Sequence, residues 1–298
     1  MIRVLSCLFL LLSFSVAAQR ASPVKSFFPE GTVFHENINY ANDTVQKHLL
    51  DIYLPPNAAK SIPLVIWLHG GAWNHNDKYA DMSYMKQTVK QFVADGYAFA
   101  SIDYRQTTTK PFPANIQDCN QAIQWLHDNA AKYGYDKNRI ALIGFSAGGH
   151  LASLVALSNN DKVVNFTHDG KSPSFRIKAV VDFYGPSDLI ALASDSNSNK
   201  PDHPITQLLG AIAADRPDLA TAASPVTYVN RRDPPFLIIH GEKDESVPVT
   251  QSRYLNSWMR LARIESKLIV VPGAPHYGEM FDSEELRKEI FTFLKTHL

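Results

Sequence analysis

The chain has 298 residues, 45% hydrophobic and 19% charged, enough to bury a sizeable core as one large domain. Basic and acidic residues balance at 29 each with no long block of one sign, so nothing in the charge pattern points to nucleic acid or an anionic membrane surface as partner. The two cysteines, Cys7 and Cys119, are too few for a disulfide framework.

Residues 1–18 have the make-up of a secretory signal. Arg3 supplies the positive start, Val4–Phe14 the apolar run, and Val16-Ala17-Ala18 a small-residue cleavage site before Gln19. The apolar run is well short of the roughly 20 residues a spanning helix needs, so export after cleavage is expected, and no membrane anchor. Cleavage would leave 28 basic and 29 acidic residues. It would also leave Cys119 as a lone thiol, which reads as a packing residue in the helical setting of residues 115–125.

After a short polar lead, Thr32–Tyr40 and Lys47–Leu54 alternate with period two, which predicts an antiparallel pair of strands. Pro63–Leu68 is continuously apolar, as expected of a strand buried on both faces. Further apolar runs at 97–102, 140–143, 177–183, 236–239 and 268–271 alternate with helix-period segments at about 82–94, 116–133, 147–157, 249–261 and 283–298. That alternation predicts an α/β domain over 19–298, with a mostly parallel sheet and helices on both faces. Residues 186–235, rich in Ser, Asn, Asp and Pro, interrupt the rhythm. They read as an insertion that shapes the rim of a site, with one short helical piece near 205–213.

The run Arg139–Ile143 leads into Gly144-Phe145-Ser146-Ala147-Gly148 and then into a helical segment. A G-x-S-x-G turn between strand and helix is what a nucleophile elbow requires, because the glycines permit a sharp turn that exposes the Ser146 hydroxyl above the sheet. A plain Gly-rich connection is the alternative, and the downstream partners weigh against it. A hydroxyl is a weak nucleophile, so an imidazole must take its proton, and a carboxylate must orient that imidazole and stabilise its cation. Asp244 and His276 follow later strands, in the order Ser, Asp, His expected of α/β-hydrolases. Asp182 and Asp188 are rival acids, Glu242 and Glu245 read as solvated loop charges, and His150 reads as a packing residue. His69-Gly70-Gly71-Ala72-Trp73 follows the 63–68 strand, where the N–H groups of Gly71 and Ala72 can join that of Ala147 in holding an oxyanion. Trp73, Tyr184 and Tyr277 lie beside these loops, either as an aromatic rim that binds substrate or as packing. There is no H-E-x-x-H, no paired cysteine and no G-x-G-x-x-G after a strand, so neither a metal nor a dinucleotide cofactor is expected.

Over residues 32–298 these segments, with Asp103-Tyr104-Arg105, Phe183–Leu189 and His240–Asp244, resemble α/β-hydrolase carboxylesterases. The resemblance is to the exported bacterial feruloyl/acetyl-xylan esterase-like branch, related to the hormone-sensitive-lipase-like esterases. It implies the α/β-hydrolase fold, Ser146, Asp244 and His276 as catalytic triad, and Gly71, Ala72 and Ala147 as oxyanion donors. The chain departs from the lipase-like pattern in reading Gly-Gly-Ala-Trp where that branch has three glycines, and its short lead leaves little room for a large N-terminal cap. The expected activity is serine carboxylic ester hydrolysis of short or aromatic acyl groups, feruloyl or acetyl, on a small molecule or plant-wall polysaccharide. An exported serine peptidase or an arylformamidase-like amide hydrolase shares the same triad. A non-catalytic hydrolase-fold binding protein would normally have lost a triad member.

Overall fold

In the computed structural model, residues 23–161, 163–194 and 200–298 are described; the expected signal at 1–18 lies outside them. Among the described residues the strands are β1 (Val33–Asn39), β2 (Leu49–Leu54), β3 (Ile62–Leu68), β4 (Ala98–Ile102), β5 (Tyr135–Phe145), β6 (Ile177–Phe183), β7 (Phe236–Gly241) and β8 (Ser266–Val271). They form one sheet in the order β1-β2-β4-β3-β5-β6-β7-β8. β1–β2 and β2–β4 pair antiparallel, and every later pair is parallel. This is the mostly parallel sheet that the alternation of apolar runs predicts, in the arrangement that the resemblance to α/β-hydrolases implies.

The helices are α1 (Lys86–Ala94), α2 (Ala114–Asp128), α3 (Ala130–Tyr133), α4 (Ala147–Ser158), α5 (Leu189–Leu192), α6 (Pro204–Leu209), α7 (Pro217–Ala222), α8 (Thr250–Leu261) and α9 (Glu284–His297). The period of two in the strands divides the core into two layers. Leu64, Ile66 and Leu68 of β3 face Ile123 of α2 and Leu151 of α4, whereas Val65 and Trp67 face Phe92 of α1 and Phe291 of α9. All five strand residues are fully buried, and burying each such side chain stabilises the fold by roughly 1.5–3 kcal/mol. Cys119 is buried in the first layer, as a packing residue should be.

Two expectations need correction. The first helix starts at Lys86, not near residue 82, because Asp81 and Tyr84 are drawn into the turn beneath the β3 loop. Asp282 then caps the helix from a distance, accepting from the N–H groups of Gln87 and Thr88. The insertion carries α5, α6 and α7 where one helical piece was expected. Its start signals were hidden by its polar composition: Asp188 caps α5, and Pro204 and Pro217 open the other two helices.

The parallel strands present their carboxyl ends to one edge, where the loops after β3, β5, β7 and β8 converge. Close approach between the first two of these loops depends on Gly148. A Cβ there would overlap the carbonyl oxygens of Leu68 and His69, both backbone atoms that cannot move aside cheaply. Gly148→Ala is therefore expected to destabilise the protein by roughly 1–3 kcal/mol, read as a lower urea midpoint. An unchanged midpoint would contradict this packing.

Candidate active site

Ser146 sits between the end of β5 and the start of α4 with φ 51° and ψ −117°, a conformation that L-residues rarely adopt. Such strain costs roughly 1–3 kcal/mol and persists only where the surroundings enforce it. Here the Ser146 N–H donates to the Phe183 carbonyl (2.9 Å), and the His150 N–H donates back to the Ser146 carbonyl (2.9 Å).

The structure brings Ser146, His276 and Asp244 together. His276 Nε2 lies 2.9 Å from Ser146 Oγ, and His276 Nδ1 lies 2.7 Å from Asp244 Oδ2. A carboxylate can only accept, so Nδ1 carries the proton and Nε2 is free to accept one from the serine. Gly241 allows the β7 and β8 loops to meet, since a Cβ on it would overlap the Ala274 and Pro275 carbonyl oxygens. The Asp244 side chain is fully buried. Burial would raise its pKa, but hydrogen bonds from His240, His276 and the Val247 N–H outweigh that and hold the carboxyl well below the usual carboxylate range.

The rival acids are engaged elsewhere. Asp182 accepts from Ser153 Oγ and the Gly185 N–H, and Asp188 accepts from the Ile190 and Ala191 N–H groups as the α5 cap. Glu242 accepts from the Gly273 N–H, and Glu245 lines the cleft.

The β3 loop turns through three successive left-handed residues, Gly71 (φ 119°), Ala72 (φ 47°) and Trp73 (φ 59°). Ala72 thus occupies a conformation in which glycine would be unstrained, at a cost of roughly 1–2 kcal/mol. The surroundings enforce it. His69 Nδ1 donates to the Gly70 carbonyl (2.7 Å), and burial holds this imidazole uncharged, with its pKa down to about 4. Because the peptide is planar and trans, fixing that carbonyl also fixes the Gly71 N–H on the opposite side. The Gly70 N–H donates to Asp81 Oδ2 (2.7 Å), and Asp81 Oδ1 accepts from Tyr84 Oη (2.6 Å), which lies 2.9 Å from Tyr184 Oη. Asp103 accepts from the Lys78 N–H and Lys47 Nζ, and Tyr104 Oη donates to the His69 carbonyl, so the Asp103–Arg105 segment anchors the loop from below. Within the described residues, no hydrogen bond takes up the N–H of Gly71, Ala72 or Ala147.

The aromatic residues divide. Trp73 is 3% and Tyr184 1% exposed, while Tyr277 is 64% exposed, so only Tyr277 projects freely at the rim. Trp73 and Tyr184 still contribute surface to the cleft wall while packing behind it. Trp73 Nε1 donates to His150 Nδ1 (3.1 Å), and His150 Nε2 donates to the Ala223 carbonyl (2.7 Å). His150 therefore joins the β3 loop, α4 and the insertion. The cleft holds about 910 Å³, and its lining includes the apolar Trp73, Leu192, Pro204 and Ile205 and the polar Asp81, Ser83, Tyr84 and Tyr277. Among the described residues, no group of three His, Cys, Asp or Glu side chains is placed to hold a metal ion.

The tie between Asp81 and Gly70, the His69 clamp and the His240–Asp244 contact were not read from the sequence. Only His69 and His240 carried a signal, as the first residues of the two His-Gly pairs that begin the β3 loop and end β7.

The depressed Asp244 carboxyl links stability to pH. Its folded pKa is below the unfolded value, so it stabilises the fold above the ordinary carboxylate range and loses that effect as pH falls. Wild-type protein should therefore be more stable than Asp244→Asn near neutrality, and the gap in urea midpoint should close below about pH 4. A gap that widens on acidification would contradict this.

Residues 50–259 match the BD-FAE family. Mycobacterium tuberculosis esterase LipQ is 35% identical over 219 residues, covering 72% of this chain and 50% of LipQ. Esterase LipC of the same organism is 32% identical over 271 residues, covering 89% of this chain and 65% of LipC. The chain thus spans between half and two thirds of the length of these two curated relatives. A truncated carbohydrate esterase from gut microbiota superposes with TM-score 0.79 at 31% identity, covering 91% of this chain and 98% of its own. With its strained serine turn, converging loops and matched sequence, the chain belongs to the BD-FAE family of the α/β-hydrolase fold.

Proposed function

We propose that this protein is a serine carboxylesterase that removes short or aromatic acyl groups, acetyl or feruloyl, from a carbohydrate carrier outside the cytoplasm. The observation that carries the reading is His276 bridging Ser146 and Asp244 beside three backbone N–H groups without an acceptor. Ser146 Oγ attacks the ester carbonyl as His276 Nε2 takes its proton, and the N–H groups of Gly71, Ala72 and Ala147 hold the oxyanion. His276 then returns the proton to the departing alcohol oxygen, leaving an acyl-Ser146. Water, deprotonated by His276, adds to the acyl carbon; collapse frees the carboxylic acid and restores the Ser146 hydroxyl. An imidazolium cannot accept the serine proton, so activity falls on acidification.

Three features support the substrate class. The similarity to a carbohydrate esterase runs over nearly the whole of that truncated chain. The apolar lining of the cleft includes Leu192 of α5 and Pro204 and Ile205 of α6, short insertion helices whose surface suits a small acyl group. The amino-terminal composition supports export, where polysaccharide esters are found.

Ser146→Ala should lower kcat on p-nitrophenyl acetate by about 10⁴-fold or more while the protein remains folded. Across acyl lengths, kcat/KM should favour two-carbon over twelve-carbon esters. A preference for the longer chain by more than about tenfold, or ~1.4 kcal/mol of transition-state binding, would overturn the acyl assignment. Methyl ferulate, acetylated xylan and aminoacyl anilides as further substrates separate the feruloyl, acetyl and amide readings.

A further inference from the structure

Asp244 is held by more than His276. Its Oδ1 accepts from the N–H groups of Ser246 (2.9 Å) and Val247 (2.8 Å). Its Oδ2, the oxygen that meets His276, also lies 3.1 Å from Nε2 of a second imidazole, His240. His240 is fully buried at the end of β7, four residues before Asp244. Its Nε2 faces two groups that can only accept, the Asp244 carboxylate and the Val247 carbonyl (2.8 Å), so that nitrogen carries the proton. Nδ1 lies 2.6 Å from Ser252 Oγ on α8 and, in the neutral ring, accepts from that hydroxyl. Ser252 thus fixes the tautomer that Asp244 needs. The other titratable groups facing this pair are Asp182 at the end of β6, Tyr184, whose ring centre lies 6.3 Å from that of His240, and His276, which itself faces Asp81, the Tyr184 ring (4.8 Å) and the Tyr277 ring (6.2 Å).

Resting on the triad proposed above, we infer that His240 is a positioning residue for catalysis: its Nε2–H, held on the Val247 carbonyl, also lies against the Oδ2 of Asp244 that meets His276, and so helps place the carboxylate and disperse its charge. The sharing has a direct consequence. Less charge on Oδ2 means weaker stabilisation of the cation that forms when His276 takes the serine proton. Removing the His240 donor concentrates charge on Oδ2, favours the protonated His276 and moves the acid limb of activity to higher pH.

Two substitutions isolate the contact in the full chain. His240→Asn places an amide near the Nδ1 position beside Ser252 but does not reach Asp244. His240→Gln carries an amide nitrogen to about the position of Nε2. The expected result is that His240→Asn lowers kcat/KM on p-nitrophenyl acetate by about 10- to 100-fold, as misplacement of a reacting group does. Its acid limb should also rise by about 0.5–1 pH unit, the equivalent of one hydrogen bond. His240→Gln should keep both close to wild type. An unshifted acid limb in His240→Asn, or equal loss in the two variants, overturns the inference, and so does failure of both to fold, which would make His240 purely structural. Asp244→Asn separates the two levels: if it retains activity, the triad reading fails; if it is inactive and His240→Asn behaves as wild type, only the role of His240 fails.

Discussion

The structure depends on one constraint, the backbone turn at Ser146. A serine held at φ 51° is stable only if its neighbours leave it no alternative, and those neighbours are the remaining parts of the site. The Phe183 carbonyl at the end of β6 holds the Ser146 N–H, while Gly148 lets the end of β3 come up against α4. The turn therefore sets both the exposure of the hydroxyl and the position of the β3 loop. In a parallel sheet these strand ends lie side by side by construction, which explains why residues 69, 146, 244 and 276 converge despite their separation in the chain.

A second layer of buried hydrogen bonds turns that convergence into fixed geometry. Two uncharged histidines act on the β3 loop: His69 orients the Gly70–Gly71 peptide, and His150 receives the Trp73 indole. Burial holds both rings down to about 4, so neither becomes a cation in the neutral range, where a buried charge would strain the loop. The chain from Tyr184 through Tyr84 to Asp81 ends on the Gly70 N–H, which ties the β3 loop to the turn after β6. Preorganisation of this kind is what makes an oxyanion site effective, because donors already in place need not reorganise as charge develops.

Much of this was legible in the sequence for physical reasons. Strands buried on both faces appear as apolar runs, so β3 and β7 were visible as runs, and β6 was too although Lys178 and Asp182 interrupt it; β5 was seen only at its apolar centre, because its first half is polar and partly exposed. The serine turn was legible because its glycines are demanded by backbone contacts, and Asp244 and His276 because the edge of a parallel sheet gathers loops in a set order. The insertion was less so, since α5, α6 and α7 are short and depend on capping by Asp188 and prolines more than on apolar periodicity. Asp81 carried no signal, because its role exists only where its carboxylate meets a peptide N–H eleven residues away. The same holds for the division of the aromatic residues, where burial separates Trp73 and Tyr184 from the exposed Tyr277.

The central claim is that the acyl group passes through Ser146. The most direct measurement is mass spectrometry of the protein after reaction with an alkyl p-nitrophenyl phosphonate, which mimics the tetrahedral intermediate and stays attached to the nucleophile. The account predicts one phosphonyl group per chain, on the peptide containing Ser146, with loss of esterase activity in step with labelling. Inactivation with the label on another residue, or full activity with Ser146 labelled, would contradict it.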